Sequence, residues 1–351
     1  MVSETFDGGE LIAFATSAMV AVGLSEDRAA TVARVLVKGD LLGKSTHGIA
    51  LLPAYVDQII IGGMNTAGDP LVISDMGACT TWDGQRLPGP WLMTKAVKEA
   101  VRRAKSFGLG AVSLRRSHHT ACLGAYLAEP LESGLAILIC LTDPSHSSVA
   151  PYGGCTPVLT SNPIAFGAPT KGDPILIDMS TAMLTNSAAL AYARSGKDTP
   201  SPSFLNSDGL LTSDASVISA TPPGSILPLG GLEAGHKGYA LGLIVELLTG
   251  CLSGHGRAET HEGWGASVLV MVFDPGAFGG SSAFVQQSQA LVELCQSAKP
   301  RPGFGEVSLP GAASLRNLRR QEHQGIVLPP DVVQRLASLA EAHGLRAPTA
   351  L

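Results

Sequence analysis

His47 stands in the run Lys44-Ser45-Thr46-His47-Gly48, with hydroxyl residues on one side and glycine on the other. An imidazole titrates near neutral pH, so it can hold or release a proton under working conditions, and a neighbouring hydroxyl can orient it or relay protons. Thr46 and His47 together therefore suit a general acid. A histidine of this kind, taken alone, is more often a cap or a surface residue. His118 and His119 form a second candidate, just after a strand-like run, where loops tend to carry function. His236-Lys237 is a third. It precedes a long apolar stretch, and a lysine at a helix start could hold an anion together with the free N–H groups. A lone lysine there is usually just solvated, so no single one of these decides the chemistry.

Several other chemistries lack their signatures. No Gly-x-Gly-x-x-Gly lies between a strand and a helix, and Gly108-Leu109-Gly110 precedes a strand instead. His261-Glu262 stands without the second histidine of a zinc-protease motif, and neither a nucleophile elbow nor a P-loop is present. No cluster of His, Cys and carboxylates has metal-ligand spacing, so no metal is expected.

The elements that must position these residues read as follows. Leu11, Phe14, Ala15, Ala18 and Val22 recur at helical spacing, and Gly23 ends that helix. Ser25 caps a second helix with the stripe Ala29, Val32, Ala33, Leu36 and Val37, which runs toward Gly43 and delivers the His47 turn. A short helix is expected over 51–61. Beyond residue 71 the pattern alternates: strands over 71–74, 79–82, 110–114, 135–141, 174–178 and 266–273, and helices over 91–107, 282–297 and 331–343. Residues 151–169 read as loop, 195–236 as an irregular excursion rich in Ser, Pro and Gly, and 237–252 as an apolar helix. The expected organisation is an N-terminal helical region, 1–70, packed with the C-terminal 315–351, beside a mixed α/β core over 71–314.

Composition narrows the setting. Of 351 residues, 45% are hydrophobic and 15% charged, which fits a folded, apolar protein. A net charge of −5 with scattered arginines gives no basic face for nucleic acid. Apolar runs are far shorter than the roughly 20 residues that cross a bilayer, so no membrane partner is expected. The six cysteines form no Cys-x-x-Cys pair and read as reduced thiols. With no basic and apolar leader at the start, a cytoplasmic location is expected.

In order along the chain, the candidate residues fall in blocks that resemble one family. The blocks are Ser-Thr-His-Gly-Ile at 45–49, Ser-His-His at 117–119, Val-Ala-Pro-Tyr-Gly-Gly at 149–154, Ser-Asn-Pro-Ile-Ala at 161–165, Asp-Met-Ser-Thr at 178–181 and His-Lys-Gly-Tyr-Ala-Leu at 236–241. Asp-Pro at 274–275, Phe278 and Val-Ser-Leu-Pro-Gly at 307–311 continue the match. Together they resemble the malate/L-lactate dehydrogenase-like family, which includes diketogulonate, sulfolactate, ureidoglycolate and piperideine-carboxylate enzymes. The resemblance implies a non-Rossmann α/β fold with a largely antiparallel central sheet, a homodimer, and NADH or NADPH as cofactor. It makes His47 the proton donor beside Thr46. It assigns His119, Thr120, Ala121, Cys122 and Leu123, then Asp178, Met179 and Ser180, then His236, Lys237 and Gly311, to cofactor binding. Leu51 and Asn162 fall at substrate positions.

Three positions depart from the family pattern. Leu51 stands where an arginine usually holds the substrate carboxylate, and leucine cannot supply a bidentate fork. Ser187-Ala188 replaces a glycine with a charged residue, and Ala312 replaces a glutamate. These losses point to a small-molecule substrate that is larger or less anionic than the family's acids, or bound by other groups. Three functions remain open: reduction of a ketone or cyclic imine, a redox-neutral acid–base reaction at His47, and binding without catalysis. Retention of His47, His119, Asp178 and Lys237 argues against the last.

Overall fold

The computed structural model describes residues 3–261 and 263–351, so Glu262 and the first two residues of the expected N-terminal region lie outside the described residues. The chain begins with β1 (Glu4–Phe6), α1 (Gly8–Ala21) and α2 (Glu26–Leu41). Two single 3-10 turns, Ser45–His47 and Ile49–Leu51, lead into α3 (Leu52–Ile60). There follow β2 (Leu71–Met76), β3 (Cys79–Asp83), α4 (Gly89–Phe107), β4 (Leu109–Ser117), α5 (Ala128–Glu132), β5 (Ala136–Thr142), β6 (Ile164–Ala168) and β7 (Ile175–Met179). Then come α6 (Asn186–Ser195), β8 (Phe204–Leu205), β9 (Leu211–Thr212), β10 (Ser225–Ile226) and α7 (Gly231–Glu246). The chain closes with β11 (Ala266–Phe273), α8 (Ser281–Ser297), α9 (Ala312–Gln324), β12 (Ile326–Leu328) and α10 (Pro330–Ala342).

The central sheet has the order β2-β3-β4-β11-β5-β6-β7. Every neighbouring pair is antiparallel except β3 with β4. The sheet is therefore largely antiparallel, and it differs from a Rossmann sheet, whose strands run parallel. β4, β5 and β11 carry Val112, Leu114, Ile137, Ile139, Val268, Val270 and Val272 into a dry interior. That interior is continuous with the buried faces of α1, α2, α3, α4 and α10 in one apolar core. β1 pairs with β12, so the two chain ends meet on the same side of this core.

A second, smaller core gathers Val149, Leu159, Ala182, Ala189, Phe204, Ala215 and Ile226. It corrects the expectation of irregular chain over 195–236, because β8, β9 and β10 form a three-stranded sheet there. Strands of two residues are too short for alternation to register in a sequence. Residues 151–169 likewise contain β6. Helix α7 begins at Gly231 rather than near residue 237, with Gly230 in the left-handed region at φ 98. A Gly-Gly pair reads as loop because glycine weakens helix, yet its freedom at positive φ lets the chain enter the helix abruptly.

Candidate active site

Helix α2 ends beside the His47 turn, and a buried carboxylate fixes that turn. The Ile49 N–H donates to Asp40 Oδ2 at 2.6 Å. Gly48 lies directly against the same carboxyl, and a Cβ at this position would overlap it. Burial raises Asp40 from its usual value to about 7, partly opposed by the Ile49 hydrogen bond. Its folded-state pKa thus lies above the unfolded value. The stability this brings is complete below the unfolded pKa and lost as pH rises through about 7. Asp40→Asn is expected to flatten the decline in melting temperature between pH 4 and 7. An unchanged slope across that range would show that Asp40 does not titrate there.

His47 faces a cleft of about 510 Å3. Thr46 Oγ1 lies 2.9 Å from His47 Nδ1. Burial draws the His47 imidazole below its ordinary pKa; Asp178 pulls the other way, and the Lys44 ammonium adds to the lowering. The His119 ring lies nearly parallel to that of His47, with centroids 5.8 Å apart. Trp264 stacks on the other side of His119 at 4.3 Å. The Ala121 N–H donates to His119 Nδ1 at 3.3 Å, and the Tyr55 hydroxyl lies 2.8 Å from the same nitrogen. Nδ1 is thus an acceptor, and the ring's proton resides on Nε2. His119 is held well below its ordinary pKa by burial first, then by His47 and His118, so it is a neutral donor.

The remaining assigned residues divide into three groups. Thr120, Ala121 and Leu123 line the cleft with His47 and His119. Cys122 and Asp178 meet behind it: Asp178 Oδ2 accepts from the Gly124 N–H at 3.0 Å and from Cys122 Sγ at 3.5 Å. Lys44 Nζ donates to the Asp178 carbonyl oxygen at 3.3 Å. The others stand apart from the cleft. Met179 is exposed, and the Ser180 hydroxyl donates to the Ala182 carbonyl oxygen. Gly311 is pressed against Leu176 of β7. His236 and Lys237 are exposed on the second turn of α7, so the free N–H groups expected beside them belong to earlier residues.

Both substrate positions turn away from the cleft. Leu51 packs against the large core. Asn162 is fully buried, and its amide donates to Gly242 O at 3.1 Å and Glu246 Oε1 at 3.0 Å. Arg257 completes this network, with its Nη2 2.7 Å from Glu246 Oε1 and its Nη1 donating to the His146 carbonyl oxygen. Asn162 thereby anchors α7 to the loop that carries His146 on the cleft wall.

The sequence reading missed Tyr55 and Trp264. Tyr55 lies at helical spacing with Leu52, Val56 and Ile59, which gives its ring the look of core, and only the hydroxyl serves the site. Trp264 precedes β11 on a loop with no motif of its own. The far wall is formed by Thr160, Ser161, Thr185, Asn186, Ser187 and Leu190, of which Ser161 and Ser187 fall in sequence stretches singled out above. The first turn of α6, capped by Thr185, lies across this wall. Among the described residues no group of His, Cys, Asp and Glu could hold a metal ion, and no helix is long and apolar enough to cross a membrane.

A family model described as malate/L-lactate dehydrogenase matches residues 6–337. Malate dehydrogenase of Pyrococcus horikoshii is 33% identical over 343 residues, covering 95% of this chain and 94% of that protein. L-lactate dehydrogenase of Cupriavidus necator is 31% identical, covering 92% and 93%. The solved structure of delta1-piperideine-2-carboxylate reductase from Pseudomonas syringae pvar. tomato superposes with a TM-score of 0.84 at 29% identity, covering 96% and 100%. The chain belongs to the malate/L-lactate dehydrogenase family and is a nicotinamide-dependent oxidoreductase.

Proposed function

We propose that the protein reduces a ketone or cyclic imine of a small, weakly anionic substrate, with His47 as proton donor and NADH or NADPH as cofactor. The observation that carries this reading is the convergence of His47, its Thr46 partner and the neutral donor His119 on one cleft. The cleft suits the nicotinamide end of the cofactor: Leu123, Leu141 and Leu190 offer apolar surface, and Thr160, Ser161 and Asn186 offer neutral hydrogen-bonding groups. Its volume lies in the range of small-ligand sites. A reduced nicotinamide supplies a hydride to the carbonyl or imine carbon.

The protein's own residues manage the proton. Thr46 Oγ1 accepts from His47 Nδ1–H and fixes the ring, so Nε2 carries the proton given to the substrate oxygen or nitrogen. His119 Nε2–H donates a hydrogen bond that polarises the same atom without giving up its proton. Two cationic rings at this spacing would repel, and the low pKa of His119 prevents that.

The test is calorimetric titration with NADH and NADPH, followed by turnover of ketones and cyclic imines read from nicotinamide absorbance. Absence of binding to either cofactor by folded protein would refute the reading. The pH profile is a second check. Because His47 is depressed, reduction should slow as pH rises through a value below 6.5, and oxidation should accelerate over the same interval. A limb above 7 would assign the proton to another group.

A homodimer is part of this proposal. Leu243 and Ile244 lie exposed at the C-terminal end of α7, with Leu247 and Leu252 just beyond. A contiguous apolar strip of this kind favours a covering partner. Sedimentation equilibrium should return twice the chain mass, and a monomer at micromolar concentration would contradict it.

A further inference from the structure

Consecutive residues of a strand point to opposite faces of the sheet. At the end of β4 they converge instead. Ala266 of β11 pairs with Ser117, while Val268 pairs with Leu114, so β4 holds an extra residue over this stretch. Bulges of this type re-aim side chains and recur beside active sites. Arg116 takes up the irregularity at φ 51, a left-handed conformation that is unfavourable for a non-glycine residue. As a result Arg115 Nε and Arg116 Nη1 lie 3.2 and 3.5 Å from the same oxygen, Asp83 Oδ2.

Both arginines line a cavity of about 470 Å3. It shares Asp143, Ser145, His261, Gly263 and Trp264 with the His47 cleft. One carboxylate facing two guanidinium groups leaves that triad with a positive charge. Asp83 is buried, whereas the Arg116 side chain keeps 47% of its surface exposed. Among the described residues, the other ionisable groups of the cavity are Arg86, Asp143, Glu259, His255 and His261. His255 is drawn below its ordinary value by burial, then by His261, Arg115 and Arg116, so the arginines' potential reaches the cavity.

We propose that Arg115 and Arg116 form an oxyanion subsite adjoining the His47 cleft, taking an acid group remote from the reacting carbon. The proposal rests on the reductase reading for the role of the neighbouring cleft. It also explains how a family member whose Leu51 is committed to the core can still hold an anion. The oxyanion has two sources: a distal carboxylate of the substrate, or the additional phosphate that distinguishes NADPH from NADH. A planar guanidinium recognises either one.

The experiment is calorimetry on the full chain as wild type, Arg116→Asn and Arg115→Gln, with adipate, the uncharged hexane-1,6-diol, NADH and NADPH as probes. Asparagine tolerates the left-handed backbone at position 116, so that variant retains the bulge. The expected result is about a tenfold loss for adipate or for NADPH in both variants, with the diol and NADH unchanged. Loss for adipate identifies the substrate's distal acid, and loss for NADPH identifies the cofactor phosphate. Unchanged affinity for both in folded variants overturns the proposal, as does an equal loss for all four probes. Failure of the reductase reading looks different. It appears as absent NADH and NADPH binding in wild type, whereas the adipate comparison needs no turnover.

Discussion

Replacing His47 with alanine is expected to lower the rate of reduction by about 10²–10⁴-fold, the usual contribution of a positioned general acid. Affinity for the reduced cofactor should stay near that of wild type, because the segment assigned to it, His119 to Leu123, is positioned by Tyr55, Asp178 and backbone groups. Folding should also persist. His47 is half-buried at the cleft surface, and the turn that carries it is fixed by Asp40 through Ile49. The measurements are kcat with the best ketone or imine found, cofactor affinity by calorimetry, and melting temperature. Retention of more than about a tenth of the wild-type rate would remove His47 from the donor role. Thr46→Val should give a smaller loss, since it frees the ring without removing the proton.

The second large effect is expected from the smallest substitution. Gly89 opens α4, and a Cβ there would overlap the carbonyl oxygens of both His118 and His119. Backbone atoms cannot swing aside as a side chain can, so Gly89→Ala must displace either the start of α4 or the segment that presents His119. Overpacking of this kind costs about 1–3 kcal/mol, and a few degrees of melting temperature should follow. The functional loss should exceed what the stability change explains, because the strain falls on the segment assigned to the cofactor. Gly172→Ala is the control: nothing lies within 4 Å of a Cβ at that position. Equal activity in the two variants at a temperature where both are folded would mean that the segment gives way without consequence for the site.

What could be read in advance, and what could not, follows from the range over which each signal acts. His47 with Thr46, and the stripe that forms α2, are neighbours in the chain, so residue type and spacing reveal them. The long strands β5 and β11 are legible for the same reason. The partners of His119 are not, because Tyr55, Ala121 and Trp264 meet only when α3, the end of β4 and the start of β11 come together. Asn162 misleads in the other direction. It sits in one of the blocks carrying the family resemblance, yet its amide turns inward to Glu246, and the block it belongs to holds a wall in place. His236 and Lys237 show how one misplaced helix start alters a chemical reading, since free N–H groups exist only in the first turn. Arg115 and Arg116 are the clearest case. The strand expected over 110–114 stops short of them, whereas β4 runs on through both and its bulge brings them to one carboxylate.

The two walls of the His47 cleft belong to different apolar cores. Ala121, Leu123 and Trp264 pack with the large core, while Thr160, Asn186 and Leu190 lie on segments that pack around the small one. The small core has few buried residues, so it is expected to open more readily than the large one, as regions of low contact density do. A ligand spanning the cleft ties the weaker cooperative unit to the stronger. Amide hydrogen exchange in β8, β9, β10 and α6 should therefore slow on saturation far more than in β4, β5 and β11, which carry the centre of the large core.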